Sequence, residues 1–284
     1  MVDIQNMSFG YRRHSPLLHK VQLSLSRGHI YGLLGKNGAG KSTLLKNIVG
    51  LAFPQAGQCL IDGVSAQRRL PSMLEEVYFL AEELYVPALT AAQFVANTAG
   101  FYPRFRQEEL TRYLHEFEVP AHAVLSKLSF GQQKKFMIAF ALATNTGLLV
   151  MDEPTNGLDI PSKAQFRRIM ASALTEERCM VISTHQVRDL DSLIDTVVVL
   201  HDGQIALNHS LDQLTDQLTF ATLPTTDTTP VLYAEDSVRG RQAIVPNATG
   251  AYSRVDLELL FNAATSGSST LLPYLKQPSY AQPV

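Results

Sequence analysis

Residues 35–43 read GKNGAGKST, the pattern of a glycine, four residues, a second glycine, a lysine and a serine or threonine. Glycines permit backbone conformations that a Cβ would forbid, so successive N–H groups can point inward at phosphate oxygens. Lys41 would then reach the β and γ phosphates, and the Ser42 hydroxyl would bind Mg²⁺. We interpret this segment as a binding loop for a nucleoside triphosphate. The alternative is a glycine-rich turn that binds nothing.

The sequence around this loop predicts the elements that a phosphate loop needs. Residues 30–35, IYGLLG, form a short apolar run typical of a strand, and residues 42–50, STLLKNIVG, carry apolar side chains at helical spacing. A helix that begins at the loop directs its first N–H groups at the phosphates. The motif in this context is far more specific than the glycines alone.

A second chemical centre is predicted at residues 148–153, LLVMDE. The apolar run is typical of a buried parallel strand, which puts Asp152 and Glu153 at the carboxyl end, where open α/β sheets bind ligands. Asp152 would hold Mg²⁺ with Ser42, and Glu153 would orient and deprotonate the attacking water. The alternative is that a carboxylate here caps the next helix, since Pro154 follows.

Two further segments carry polar groups in positions that suit phosphate chemistry. Residues 181–185, VISTH, again form an apolar strand with a polar end, and His185 would sense the γ phosphate. A lone histidine after a strand is more often a surface residue. Residues 128–136, LSFGQQKKF, predict a helix capped by Ser129, and such a helix start attracts an anion. The alternative for this segment is an ordinary amphipathic helix.

The order of these motifs resembles the ATP-binding cassette (ABC) family. LSFGQ corresponds to the family signature LSGGQ, LLVMDE to the acidic strand end, NGLD to the D-loop and ISTHQ to the switch histidine. The resemblance covers roughly the first three quarters of the chain. It implies an α/β fold, the P-loop NTPase ABC-type nucleotide-binding domain with an inserted helical subdomain, together with ATP and Mg²⁺ as cofactors.

The resemblance also implies roles for individual residues. Glu153 and His185 are the catalytic candidates, and Ser42, Asp152 and Glu82 are the candidate ligands of Mg²⁺. In this family the signature helix faces the γ phosphate bound by a second cassette, so two ATP molecules lie in a dimer. The candidate nucleotide-binding residues are Tyr11, Gly35, Asn37, Gly38, Ala39, Gly40, Lys41, Ser42, Thr43, Ser129, Gly131, Gln132 and Asp159.

The chain departs from the family pattern in the signature and in the Q-loop. Phe130 replaces the first signature glycine, which requires an ordinary backbone conformation at that position. Where the family has the Q-loop glutamine, this chain has Glu82 or Glu83; we favour Glu82, which would add charge at Mg²⁺. Tyr11 stands where the family stacks an aromatic ring on adenine. The alternative is an exposed tyrosine in a hairpin.

Composition and charge agree with this interpretation. The formal net charge of −2 over 284 residues gives no electrostatic reason to expect nucleic acid as a partner. Cys59 and Cys179 stand singly in apolar stretches, which favours buried thiols and a reducing compartment. The start of the chain does not resemble a signal peptide, and no uninterrupted apolar stretch is long enough to span a bilayer. We expect a cytoplasmic protein, peripheral on the inner face of the membrane.

We predict a nucleotide-binding domain over residues 1–220, with its helical subdomain over about 83–135, and a small C-terminal α+β appendage over 221–284. Residues 221–230, ATLPTTDTTP, are typical of a linker. Two strands and a helix are expected in the appendage, and its last residues are expected to be mobile.

The expected function is that of an ATPase subunit that powers a polytopic permease on a separate chain, as a homodimer or with a sister cassette. The glutamates and Tyr85 resemble cassettes of two-component exporters with ABC-2 type permeases, so export is favoured over import. A soluble ABC ATPase that acts on DNA or ribosomes is disfavoured, because the chain has neither a long coiled coil nor a second cassette. A regulator without turnover is disfavoured by Glu153. The cargo is set by the permease.

Overall fold

The computed structural model describes residues 1–12, 15–120, 122–224, 227, 229–238, 240–267 and 270–275. Residues 225, 226 and 228 of the predicted linker, and residues 268, 269 and 276–284 of the predicted mobile end, lie outside the described residues.

Strands and helices alternate along most of the described chain. The strands are β1 Val2–Phe9, β2 Leu18–Leu25, β3 His29–Leu34, β4 Ala56–Ile61, β5 Val64–Ser65, β6 Val77–Leu80, β7 Leu148–Asp152, β8 Cys179–Thr184, β9 Thr196–His201, β10 Gln204–Ser210, β11 Leu218–Leu223, β12 Tyr233–Ser237 and β13 Gly240–Pro246. The α-helices are α1 Lys41–Ile48, α2 Pro71–Leu74, α3 Ala91–Thr98, α4 Gln107–Glu116, α5 Phe130–Ala143, α6 Ile160–Ala173, α7 Leu211–Gln217, α8 Leu257–Thr265 and α9 Leu271–Leu275.

A six-stranded sheet with the order β10-β9-β3-β8-β7-β6 carries the predicted site. Strands β9, β3, β8, β7 and β6 are parallel to their neighbours, and β10 is antiparallel to β9. Parallel strands are covered on both faces, which explains continuous apolar runs such as residues 148–151. Because β3, β8 and β7 are adjacent and parallel, the loops that follow them emerge at one edge of the sheet.

A four-stranded antiparallel sheet, β2-β1-β4-β5, lies beside α1 and shares its hydrophobic cluster. Ile4 of this sheet, Leu44 of α1 and Val181 of β8 belong to that one cluster. Helix α1, which follows the phosphate loop, is therefore packed between the two sheets. Cys59 and Cys179 are both buried there, as predicted, and burial raises the pKa of each thiol to about 12.

The helical region predicted over about 83–135 contains α3, α4 and the start of α5. Phe94 of α3 meets Phe136 and Phe140 of α5 edge-on, with ring centroids 5.4 and 5.0 Å apart. Most of α5 beyond its first turn is buried, including the predicted apolar residues Ile138 and Leu142. Since α5 is packed on several sides, its first turn is held firmly at the surface.

The appendage is built around a three-stranded antiparallel sheet with the order β11-β13-β12. The predicted boundary at residue 220 lies inside β11, which pairs with β13 from Leu218↔Pro246 to Leu223↔Arg241. Residues 221–223 are therefore strand rather than linker. Composition alone does not mark this boundary, because β11 is defined by pairing with a strand far along the chain.

The two strands and the helix expected in the appendage are β12, β13 and α8. Helix α8 buries Leu257, Leu260 and Ala263 in the same hydrophobic cluster as Ile182 and Leu190 of the large sheet and its following turn. The appendage and the sheet therefore share one core.

Candidate functional site

The loop after β3 has the backbone that its glycines predict. Gly38 and Gly40 have φ of 80° and 100°, in the left-handed region that favours glycine, and Gly40 is the N-cap of α1. Lys41 is buried, and its Nζ donates to the carbonyl oxygen of Gly35 at 2.8 Å. The ammonium thus lies within the loop, at the amino terminus of a helix, where anions bind.

Glu153 is the centre of an ionic cluster that joins three loops. Its Oε1 lies 2.9 Å from Nδ1 of His185 and 3.6 Å from Nζ of Lys41. Glu153 is only 4% exposed, so its carboxylate depends on these partners. The structure brings together three residues that were predicted separately, from the ends of β3, β7 and β8.

The second carboxylate oxygen of Glu153, Oε2, lacks the contacts that Oε1 makes. Among the described residues, Glu153 Oε2 is a buried polar atom without a hydrogen-bond partner. A buried acceptor left unpaired costs about 1–3 kcal/mol, and more when it is charged. Glu153 also has a φ of 47°, a conformation that costs a non-glycine residue about 1–2 kcal/mol. Such costs are typical of functional sites.

The residues predicted to bind Mg²⁺ lie at the same edge of the sheet. Asp152, at the end of β7, is 3% exposed and accepts a hydrogen bond from the Ser183 hydroxyl. Glu82 Oε1 accepts from Nδ2 of Asn156 at 3.0 Å. Glu82 and Ser42 line one cavity of about 530 Å³, whereas Glu83 is not part of its lining. That lining consists of Leu17, Lys36, Asn37, Gly38, Gly40, Lys41, Ser42, Thr43, Glu82, Glu153, Asn156 and His185.

Tyr11 lies beside Thr43 of the phosphate loop. Its hydroxyl is 3.2 Å from Oγ1 of Thr43, and its ring meets Phe9 edge-on with centroids 5.1 Å apart. The residue is 70% exposed. A mostly exposed ring beside the phosphate loop is what stacking on a base requires.

The signature segment forms the predicted helix start. Ser129 Oγ accepts from the Gln132 N–H at 3.3 Å, while Gln132 Oε1 accepts from the Ser129 N–H at 3.2 Å, which is a capping box. Phe130 is the first residue of α5 and has an ordinary helical backbone, as its position requires. The described lining of the cavity above includes neither Ser129, Gly131 nor Gln132.

Asp159 likewise lies apart from the cavity within one chain. Its carboxylate accepts from the Ser162 N–H at 2.9 Å and caps α6. The hydrogen bonds from Ser162 lower the pKa of Asp159. The structure therefore gathers the phosphate loop, Glu82, Glu153 and His185 around one cavity, whose lining includes neither the signature residues nor Asp159.

Sequence reasoning missed two residues that contact the acidic pair. Ser183 Oγ donates to Asp152 and lies 3.2 Å from the Glu153 amide nitrogen. The parallel register that pairs Asp152 with Ser183 would have revealed it. Lys134 is completely buried, and its Nζ donates to the Glu153 carbonyl oxygen at 2.7 Å. No sequence pattern indicates this contact, because lysines near the start of a helix are usually exposed to solvent.

Fold and site together define an α/β nucleotide-binding ATPase domain, with a glycine loop, a buried acidic strand end and a histidine around one cavity. The sequence profile of the ABC transporter family matches residues 18–156. The ATP-binding protein SkfE for SkfA peptide export from Bacillus subtilis (strain 168) is 32% identical over 228 residues, which cover 76% of this chain and 92% of SkfE. The chain belongs to the ATP-binding proteins of ABC transporters.

Another relative and two solved structures agree with this assignment. The ABC transporter ATP-binding protein YtrB of Bacillus subtilis is 26% identical, over 76% of this chain and 74% of YtrB. A solved ATP-binding subunit of an ABC transporter superposes with a TM-score of 0.68 at 26% identity, over 75% of this chain and 91% of that one. The dimeric cassette MJ0796 shares the fold, with a TM-score of 0.66 at 23% identity, over 74% of this chain and 99% of that one.

The predicted family, fold class and ATPase activity are therefore confirmed. The chain is an ATP-binding and ATP-hydrolysing subunit of an ABC transporter. No helix in the described ranges has both the length and the apolar character that crossing a bilayer demands.

Proposed function

We propose that this ATPase closes as a dimer around two ATP molecules with Mg²⁺, and that closure drives a separate membrane permease in the export direction. The observation that carries the hydrolytic part of this proposal is the unpaired, buried Oε2 of Glu153 beside the phosphate loop. A carboxylate oxygen in that state has an acceptor site free for a water molecule.

Glu153 acts as the general base in this proposal. Its Oε1 is held by His185 at 2.9 Å and by Lys41 at 3.6 Å, so the carboxylate cannot rotate freely. Oε2 accepts a proton from the water that attacks the γ phosphate. Lys41 exchanges its hydrogen bond to Gly35 for phosphate oxygens and offsets their charge.

The candidate ligands of Mg²⁺ fit that ion chemically. Ser42, Asp152 and Glu82 offer hydroxyl and carboxylate oxygens, which Mg²⁺ prefers. Among the described residues there is no group of three or more His, Cys, Asp or Glu side chains arranged to hold a metal. Mg²⁺ also takes several ligands from the triphosphate and from water. When bound, Mg²⁺ would neutralise charge on the phosphate oxygens.

The dimer is proposed because the predicted signature residues lie outside the cavity of their own chain. Ser129 and Gly131 are exposed or half-buried at the start of α5, outside the cavity that Lys41 and Glu153 line. The amino terminus of a helix, here capped by Ser129, attracts anions. We infer that Ser129 and Gly131 of one chain complete the nucleotide site of a second chain, either an identical copy or a sister cassette.

One relative supports the export direction. SkfE is named for SkfA peptide export and is similar to this chain over 92% of its own length. We infer that the present chain also serves export, and that it does so through a separate permease at the inner face of a membrane. The permease determines which molecule is transported, so no substrate is proposed.

The proposal is tested by Glu153→Gln, which keeps the shape of the side chain and removes the base. ATP binding should persist, turnover should fall on the order of a hundredfold or more, and light scattering should detect an ATP-dependent dimer. Lys41→Ala should instead lose ATP binding. Glu83→Gln, an exposed neighbour of Glu82, is the control and should behave like the parent protein.

Two results would contradict the proposal. Turnover of Glu153→Gln within a few-fold of the parent would remove Glu153 as the base, and a fully active monomer would exclude the dimer. The permease is tested by co-expressing this chain with membrane proteins encoded near it: a polytopic one should bind the chain and stimulate its ATPase activity.

A further inference from the structure

Lys134, on the second turn of α5, is a fully buried lysine that the chemistry above does not use. Lysines are almost never fully buried unless they are paired. Its Nζ donates to two carbonyl oxygens, that of Glu153 at 2.7 Å and that of Asn156 at 3.1 Å. Burial lowers the pKa of Lys134, and the nearby carboxylates, Glu82 first, oppose this shift. The ammonium therefore binds backbone directly at the catalytic strand end.

The two carbonyl groups are the ends of one turn. Asn156 N–H donates to the Glu153 carbonyl oxygen at 3.2 Å, which closes the turn after β7. Lys134 bridges both ends of this turn with a single charged group. The turn begins at the left-handed backbone of Glu153. An unfavourable conformation of this kind persists only when the surrounding structure holds it.

Phe130 covers the same contact from the outside. Its ring centroid lies 5.7 Å from the Lys134 Nζ. A Cβ built on Gly157, which has a φ of +79°, would come within 2.6 Å of the Phe130 ring, so ring and glycine are in close contact. The phenylalanine that interrupts the signature motif thus packs on the turn that Lys134 binds. A small residue at position 130 would leave this side of the turn open.

We propose that Lys134 is a positioning residue for ATP hydrolysis, which holds the main chain of Glu153 in the conformation that directs its carboxylate to the water, with Phe130 as its cover. This inference rests on the proposed role of Glu153 as the base. Lys134 and Ser129 lie within two turns of the same helix. The orientation of Glu153 in one chain consequently depends on the position of the helix start that contacts the second nucleotide.

The test is Lys134→Met, which keeps an apolar stem and removes the two hydrogen bonds. Unlike the replacement of a whole ion pair, this change leaves two carbonyl oxygens without the charged donor, so folding of the variant is first checked by circular dichroism. We expect kcat to fall about tenfold or more, because a small displacement of a reacting group is costly. KM and nucleotide affinity should stay within about twofold, since binding groups are untouched. Lys135→Met on the same helix is the matched control and should retain parental kcat.

A double variant separates positioning from general damage. If Lys134 acts through Glu153, Lys134→Met should cause no further loss of turnover in a Glu153→Gln background. A full additional loss there would overturn the inference, as would a folded Lys134→Met protein with kcat within threefold of the parent. A high turnover of Glu153→Gln alone would instead sink the proposed function, so the two failures are distinguishable.

Phe130→Ala keeps the inference testable if Lys134→Met does not fold. Phe130 is 53% exposed, so its truncation leaves the core intact. We expect kcat of Phe130→Ala to fall less than kcat of Lys134→Met, with KM unchanged. Phe130→Tyr, which retains the ring, should keep most of the parental turnover. If Phe130→Ala has the kcat and KM of the parent, Phe130 has no role in covering the contact. If, in addition, Lys134→Met does not fold, the inference as a whole is overturned.

Discussion

Nδ1 of His185 lies 2.9 Å from Oε1 of Glu153, although the two residues follow different strands. The distance follows from the sheet. β7 and β8 are adjacent and parallel, with Asp152 opposite Ser183, so the residues just beyond both strands emerge side by side. His185 is 31% exposed at its side chain and Glu153 only 6%, so the histidine lies on the solvent side of the carboxylate.

This relationship predicts the effect of His185→Ala. Glu153 Oε1 would keep only Lys41 at 3.6 Å, so the carboxylate would be less well oriented. We expect kcat to fall roughly tenfold to a hundredfold, with little change in ATP affinity, in steady-state assays and nucleotide titrations. His115→Ala, at an exposed position on α4, should leave both values unchanged. A normal kcat in His185→Ala would show that the pair does not serve hydrolysis.

A second prediction concerns Ser129→Arg. The added side chain would occupy the surface that should meet the second nucleotide, so turnover should be abolished while ATP binding to the single chain persists. Ser210→Arg is a close control, because Ser210 also forms a capping box, with Gln213 at the start of α7. Both variants lose a helix cap, which costs about 1 kcal/mol. Only Ser129→Arg should prevent the ATP-dependent dimer in the Glu153→Gln background, as measured by light scattering.

The shared core predicts how the appendage affects stability. Leu260 on α8 is completely buried in the cluster that also contains Ile182 of β8. Leu260→Ala should lower the free energy of unfolding by about 2–5 kcal/mol. Urea unfolding followed by circular dichroism should show one transition, shifted as a whole. Leu51→Ala, at a half-exposed position, should change stability by less than about 0.5 kcal/mol. A separate early transition in Leu260→Ala would mean that the appendage folds independently.

The parts of the site that sequence predicts are those encoded by local spacing. Gly38, Gly40 and Lys41 belong to one continuous motif, and Asp152 and Glu153 follow directly from an apolar strand. In both cases the backbone conformation of a few consecutive residues determines where the functional side chains lie. Ser129 as a helix cap was predictable for the same reason, since a capping box spans only four residues.

The parts that sequence does not predict depend on contacts between distant segments. Lys134 reaches Glu153 across 19 residues, and Thr155 Oγ1 donates to Asp189 across 34. No local pattern distinguishes these side chains from solvated ones. The strand β11 was missed at the domain boundary for a related reason, since its partner β13 follows after an intervening segment. Non-local pairing of this kind follows from the tertiary fold.

Glu82 offers the sharpest test of the proposed metal site. Its carboxylate accepts from Asn156 at 3.0 Å and lines the cavity with Ser42, whereas Glu83 is not part of that lining. Glu82→Gln keeps an oxygen for Asn156 and removes only the charge. A carboxylate close to Mg²⁺ strengthens metal binding through its charge. The Mg²⁺ concentration for half-maximal ATPase activity should therefore rise in Glu82→Gln and stay unchanged in Glu83→Gln.

Glu82→Ala extends this prediction to the permease. Loss of the hydrogen bond to Asn156 should weaken stimulation by the permease more than basal turnover, because the Glu82 loop leads into the helical region that begins with α3. ATPase assays with and without the co-expressed permease measure both effects. If the Glu83 variants change metal dependence and stimulation while the Glu82 variants do not, the Q-loop position is one residue further along. If neither pair responds, this loop contributes to neither metal binding nor coupling.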